Sequence, residues 1–125
     1  LAAVSGLGDV YKRQDPMFGG TKESMIYRGD YRDDHDPKDP YLSPLFGDFS
    51  GLPPMLIQVG EIEMLRSDGE CAAQKVQQCG GRATAQCYAG MFHVFQMGLS
   101  QIPESATAWE EVQKFLEGMR AESDE

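Results

Sequence analysis

Histidine is scarce in this chain, and so is positive charge. Among its 125 residues there are two histidines and one tryptophan, with eleven Lys and Arg against twenty Asp and Glu. A net charge of −9 repels phosphate backbones and argues against a nucleic-acid partner. No apolar run reaches the roughly 18 residues that a membrane-crossing helix needs, so no membrane span is expected. The cysteines, Cys71, Cys79 and Cys87, are odd in number and lack Cys-x-x-Cys spacing. That excludes an ordinary zinc site and a disulfide framework, and fits a reducing, cytoplasmic setting. They are expected as small buried thiols. The acidic stretch Asp30 to Pro40, which holds His35, lacks the Asp-x-Asp-x-Asp-Gly order and closing Glu of a calcium loop. It reads as a solvated loop.

What remains is an ordinary globular composition, 41% hydrophobic and 25% charged, long enough for one domain and one core. Asp15 to Tyr31 is expected to be partly helical, with Thr21 as cap, Met25 and Ile26 as the apolar face and Gly29 as the stop. Met55-Leu56-Ile57-Gln58-Val59, between Pro53-Pro54 and Gly60, has the continuous apolar character of a fully buried strand in a parallel sheet. Ser67-x-x-Glu70 forms a capping box. The helix it opens runs to about Cys79, with Leu65, Ala72, Val76 and Cys79 on one face and Gly80-Gly81 as its end. Arg82 to Tyr88 alternates weakly and reads as a second strand. Pro103 opens a last helix whose apolar stripe is Trp109, Val112, Leu116 and Met119. The order is βαβα, an α/β pattern, and two buried strands joined by a helix are parallel with a right-handed crossover.

In such a sheet, ligands gather at the carboxyl ends of the strands. Glu63 follows the first strand and His93 follows the second. If the strands are neighbours, a carboxylate and an imidazole meet there. A carboxylate on one ring nitrogen fixes the tautomer and stabilises the imidazolium formed when the ring takes a proton. The pattern by itself leaves a second reading open, in which His93 is a satisfied core histidine and Glu63 a surface charge.

Four motifs then occur in order: Pro40-Tyr41-Leu42-Ser43-Pro44-Leu45, Ser50-Gly51-Leu52-Pro53-Pro54, Gly60-x-x-Glu63-x-Leu65-Arg66-x-Asp68-Gly69, and Gly90-Met91-x-His93-x-Phe95. From about Asp36 to Leu116 the chain resembles the C-terminal part of the hormone-sensitive-lipase-like esterases of the α/β-hydrolase superfamily. The resemblance implies a serine carboxylesterase of short acyl esters, with no metal or organic cofactor. It makes His93 the base, Glu63 the acid and Asp68 a supporting residue, with Glu61 a weaker rival for the acid. It also implies a small-molecule ester partner, and a homodimer through the last strand and its neighbouring helix in the parent protein.

The chain departs from the family in one large respect. It has no Gly-x-Ser-x-Gly and no His-Gly-Gly-Gly, so it holds neither the nucleophile nor the oxyanion hole. In the family both precede the position of Asp15. The stretch Gly6-Leu7-Gly8-Asp9-Val10-Tyr11-Lys12-Arg13-Gln14 resembles a translated sequencing-library adapter. Residues 1–14 are therefore expected to be foreign to the fold, and residues 15–125 to be the C-terminal part of a single, incomplete α/β-hydrolase domain, inactive alone. Two other functions share the fold: an amidase or peptidase, and a non-enzymatic small-molecule receptor. Receptors of this superfamily replace the catalytic histidine, which is present here.

Overall fold

The computed structural model describes residues 34–36 and 38–123. Residues 1–14 and the helix expected around Thr21 lie outside them. The chain divides after His93 into two compact units, Leu1–His93 and Val94–Glu125.

The first unit holds two strands and a helix: β1 (Met55–Gly60), α1 (Arg66–Gln78) and β2 (Ala83–Tyr88). The strands are parallel and adjacent, with Met55 opposite Ala83 and Gly60 opposite Tyr88. The expected βαβ order is therefore realised. Gly69 shows how closely α1 lies on the sheet. A Cβ built there would stand 2.5 Å from Val59 Cγ1 and 3.2 Å from Ile57 Cγ2. Only hydrogen at that position lets the helix approach the odd-numbered face of β1. Val76 and Ala73 complete this layer and are buried. On the opposite face, Gln58 Nε2 donates to Gln86 Oε1 and Tyr88 Oη at 3.1 and 3.2 Å. The strand is not the uniformly buried one expected: Met55 to Gln58 are half-buried, and only Val59 and Gly60 are buried.

Before β1, a 3-10 turn (Pro44–Phe46) is tied to α1 by Lys75. Its Nζ donates to the Leu45 carbonyl at 2.6 Å and lies 5.1 Å from the centre of the Phe49 ring. Asp36 and Asp39 accept the amides of Lys38 and Tyr41, both at 2.9 Å. These are local turns of the kind aspartate favours.

Three expectations need correction. The capping box does not form. Helix α1 starts at Arg66, with Leu65 as its N-cap and no side-chain capping bond. The amides of Asp68 and Gly69 both turn back to the Leu65 carbonyl at 3.1 Å. Burial of Met64 draws the chain into the helix early, so Ser67 already lies within it. Its buried Oγ has no hydrogen-bond partner among the described residues. Glu70 pairs instead with Arg66 at 2.8 Å. Second, the cysteines are free but not buried: Cys79 and Cys87 are exposed and Cys71 is intermediate. Cys79 caps the end of α1, and Cys87 lies on β2, whose other edge pairs with no strand among the described residues.

The third correction concerns the second unit, a 3-10 stretch (Phe95–Gln101) followed by α2 (Pro103–Ser123). Pro103 opens the helix as expected. Its inner face runs through Ser105 and Ala108, both buried, and on through Val112, Phe115 and Met119. Trp109 and Leu116 flank that face, 50% and 56% exposed. Small residues decide the rotation, because Ser105 Oγ reaches the Gln96 carbonyl at 2.8 Å and Trp109 Nε1 reaches the same oxygen at 3.0 Å. Two non-glycine residues in this unit have positive φ, Val94 at 55° and Leu99 at 48°. For side chains of this size such conformations cost about 1–3 kcal/mol each.

Gly60 is the tightest of the described glycines. A Cβ there would fall 2.2 Å from the Met91 carbonyl oxygen and 2.8 Å from that of Phe92. Backbone cannot yield as a flexible side chain can. In the full-length protein, Gly60→Ala is expected to cost more than about 3 kcal/mol. Gly118→Ala, on α2 with nothing within 4 Å, is expected to be neutral or to stabilise by up to about 1 kcal/mol. Thermal melts of the two variants check this ranking.

Candidate active site

Both strands end level with each other, and the chain leaves each end into the same space. After Gly60, a short turn places Glu63 with its side chain only 7% exposed. After Tyr88, the chain turns at Ala89-Gly90. The Met91 amide bonds back to the Tyr88 carbonyl at 3.2 Å, and Gly90 sits at φ 69°. Positive φ at the third residue of such a turn calls for glycine. The Met91 carbonyl then accepts the Ile62 amide at 3.0 Å and lies over Gly60, where no side chain intervenes.

This trajectory brings His93 Nδ1 to 3.3 Å from Glu63 Oε2. An ionised carboxylate only accepts, so the contact selects the neutral tautomer with hydrogen on Nδ1. Nε2 is then the basic nitrogen. The contact is at the long end of hydrogen-bond range. A carboxylate as buried as Glu63 is costly unless it is paired, and His93 is a partner that gains a positive charge on taking a proton.

Glu61, the rival acid, is engaged elsewhere. Its Oε2 accepts the Gly90 amide at 2.8 Å, and its own amide donates to the Tyr88 carbonyl at 2.9 Å. Asp68 stands half-buried in the first turn of α1, where a negative charge meets the helix's positive end. His35 lies exposed in the acidic loop. Among the described residues, no three His, Cys, Asp or Glu side chains gather as a metal site. No described helix is long and apolar enough to cross a membrane.

The charges around the site are mixed. Partial burial pushes the Cys87 thiol, on the neighbouring strand, above the ordinary range; the Arg66 cation opposes that shift, and Glu70, Glu61 and Glu63 add to it. Arg66 is itself held in its charged form first by the hydrogen bond to Glu70. Sequence reading missed Arg66 and Gly60 as shapers of the site. A glycine directly after a buried strand was the available signal for the second.

A family model described as the alpha/beta hydrolase fold matches residues 8–97. The chain belongs to the α/β-hydrolase fold family. It is 40% identical over 83 residues to an esterase of Acinetobacter venetianus, covering 66% of this chain and 27% of that protein. It is 40% identical over 81 residues to an acetyl-hydrolase of Streptomyces hygroscopicus, covering 65% and 27%. Among solved structures it is similar to an esterase/lipase from an uncultured bacterium, at 34% identity and a TM-score of 0.68, covering 73% of this chain and 31% of that one. A hormone-sensitive lipase from a metagenome library gives 32% identity and a TM-score of 0.65, covering 70% and 30%. The chain thus spans about 27% of the length of these curated relatives. The hydrolase fold and the likeness to hormone-sensitive-lipase-like esterases agree with the motif reading.

The shift at Cys87 has a chemical readout. Its alkylation by iodoacetamide, followed against pH by mass spectrometry in the full-length protein, is expected to have its midpoint above that of an ordinary thiol. The raised value means less thiolate at neutral pH and slower reaction there. Arg66→Ala removes the opposing cation and is expected to move the midpoint further up. A midpoint at or below the ordinary range would contradict the account.

Proposed function

We propose that this chain supplies the acid and the base of a Ser-His-Glu triad in a carboxylesterase of short acyl esters. The observation that carries this reading is the contact of 3.3 Å between Glu63 Oε2 and His93 Nδ1 at the ends of adjacent parallel strands. The esterase and acetyl-hydrolase names of its relatives support an ester bond and a short acyl group.

The chemistry follows from the pair. A serine from outside these 125 residues attacks the ester carbonyl. His93 Nε2 takes the hydroxyl proton as the bond to carbon forms. Glu63 keeps the ring oriented and stabilises the imidazolium. The imidazolium then protonates the departing alkoxide, leaving an acyl-serine. In the second half the same nitrogen takes a proton from water, and the acid is released as serine is restored. No metal or organic cofactor enters. Because the nucleophile and the oxyanion donors are not in this sequence, the 125-residue chain alone is inactive.

Two measurements test this. In the full-length protein, His93→Ala is expected to lower kcat on a short nitrophenyl ester by on the order of 10⁴-fold. Glu63→Gln lowers it by roughly 10³- to 10⁴-fold, with KM changed less than about threefold in both. Wild-type rates from either variant would overturn the assignment. The isolated chain is expected to give no turnover above background, and turnover by it that His93→Ala abolishes would refute the claim of inactivity.

A further inference from the structure

The strands and the site do not share one register. Along the sheet, paired residues are separated by 28 positions, as in Gln58 with Gln86. At the site the separation is 30, between Glu63 and His93. Continued unchanged, the strand register would set Glu63 opposite Met91. The chain beyond β2 must therefore gain two residues on the chain beyond β1 within a few positions.

The gain begins at Gly90. There the separation becomes 29, and the contact is between the Glu61 carboxylate and the Gly90 amide at 2.8 Å. That amide donates to a side chain and not to a strand carbonyl, and the positive φ of Gly90 turns the chain that follows it. An amide leaving a sheet needs an acceptor, and an ionised carboxylate is a strong one. The backbone of the same residue still belongs to the sheet, since the Glu61 amide donates to Tyr88. One residue therefore continues the strand ladder with its backbone and holds the departure from it with its side chain. The next contact is Ile62 with Met91, and the one after is Glu63 with His93.

We propose that Glu61 is a positioning residue for His93: its carboxylate holds the Gly90 turn that shifts the loop register and so sets the imidazole against Glu63. The inference rests on His93 being the base. Glu61 neither touches substrate nor titrates in the reaction. Its contribution is the placement of the ring, and an error of about 1 Å in such a placement can cost up to roughly 10²-fold.

The experiment is a set of variants of the full-length protein assayed on a short nitrophenyl ester. Glu61→Ala removes the acceptor and is expected to lower kcat about tenfold, with KM within about twofold of wild type. Glu61→Gln keeps an acceptor oxygen at the same reach and is expected to retain at least about half of the wild-type kcat. If the alanine variant does not fold, Glu61→Met keeps the side-chain length without an acceptor and is expected to give the alanine result. A kcat for the acceptor-less variant within twofold of wild type overturns the proposal. So does equal impairment of the Gln and acceptor-less variants. His93→Ala separates the two claims: if it leaves turnover intact, the reading of His93 as the base has failed. If it abolishes turnover while Glu61→Ala does not lower it, the role of Glu61 alone has failed.

Discussion

A carbonyl oxygen occupies the space where a side chain would be. The Met91 oxygen lies over Gly60, at the last position of β1, and accepts the amide of Ile62 just beyond. This close approach joins the two segments that leave the sheet. Were Gly60 any other residue, the loop carrying His93 would have to stand off by the width of a methyl group. Histidine and glutamate would then lose hydrogen-bond distance, which tolerates only a few tenths of an ångström. The sheet, the crossover helix and the Gly69 contact beneath it all serve to bring two strand ends level, and this one approach converts level ends into a site.

The charges at these strand ends are mixed. Glu63 is buried and lies within reach of His93 Nδ1. Arg66 pairs with Glu70, and its cation opposes Glu70, Glu61 and Glu63 at the neighbouring Cys87 thiol. Glu61, Glu63, Asp68 and Glu70 are four of the chain's twenty acidic residues, so its overall acidity is spread along its length and not gathered at this end of the sheet.

Much of this was legible in the residues. The apolar run before Gly60, the helix ended by Gly80-Gly81 and the strand before Tyr88 imply a parallel βαβ unit, and such a unit places Glu63 and His93 at neighbouring ends. The capping box was misread because Ser67 and Glu70 have the right spacing, yet spacing does not say where a helix starts. Burial of Met64 and the fit of Gly69 against Val59 start it earlier. The stripe on α2 was displaced for a similar reason. Trp109 is the most apolar residue in sight, but Ser105 and Ala108 are small enough to let the 3-10 stretch come close, and close packing outweighs bulk. The thiols were expected inside because cysteine is usually buried; here two of them fall at a helix end and on an outer strand.

Sequence alone therefore determined the order of strands and helices, since hydrophobic periodicity sets them, and it placed Glu63 and His93 at neighbouring strand ends; their roles came from the family resemblance and not from the pattern. It did not determine distances and pairings. That Glu63 rather than Glu61 faces His93 depends on a register change from 28 to 30 between the strands and the site. No local pattern encodes that change. It arises because the chain turns at Gly90, Glu61 receives the Gly90 amide, and Gly60 leaves room for the loop, three conditions met by residues far apart in the chain and adjacent only once it is folded.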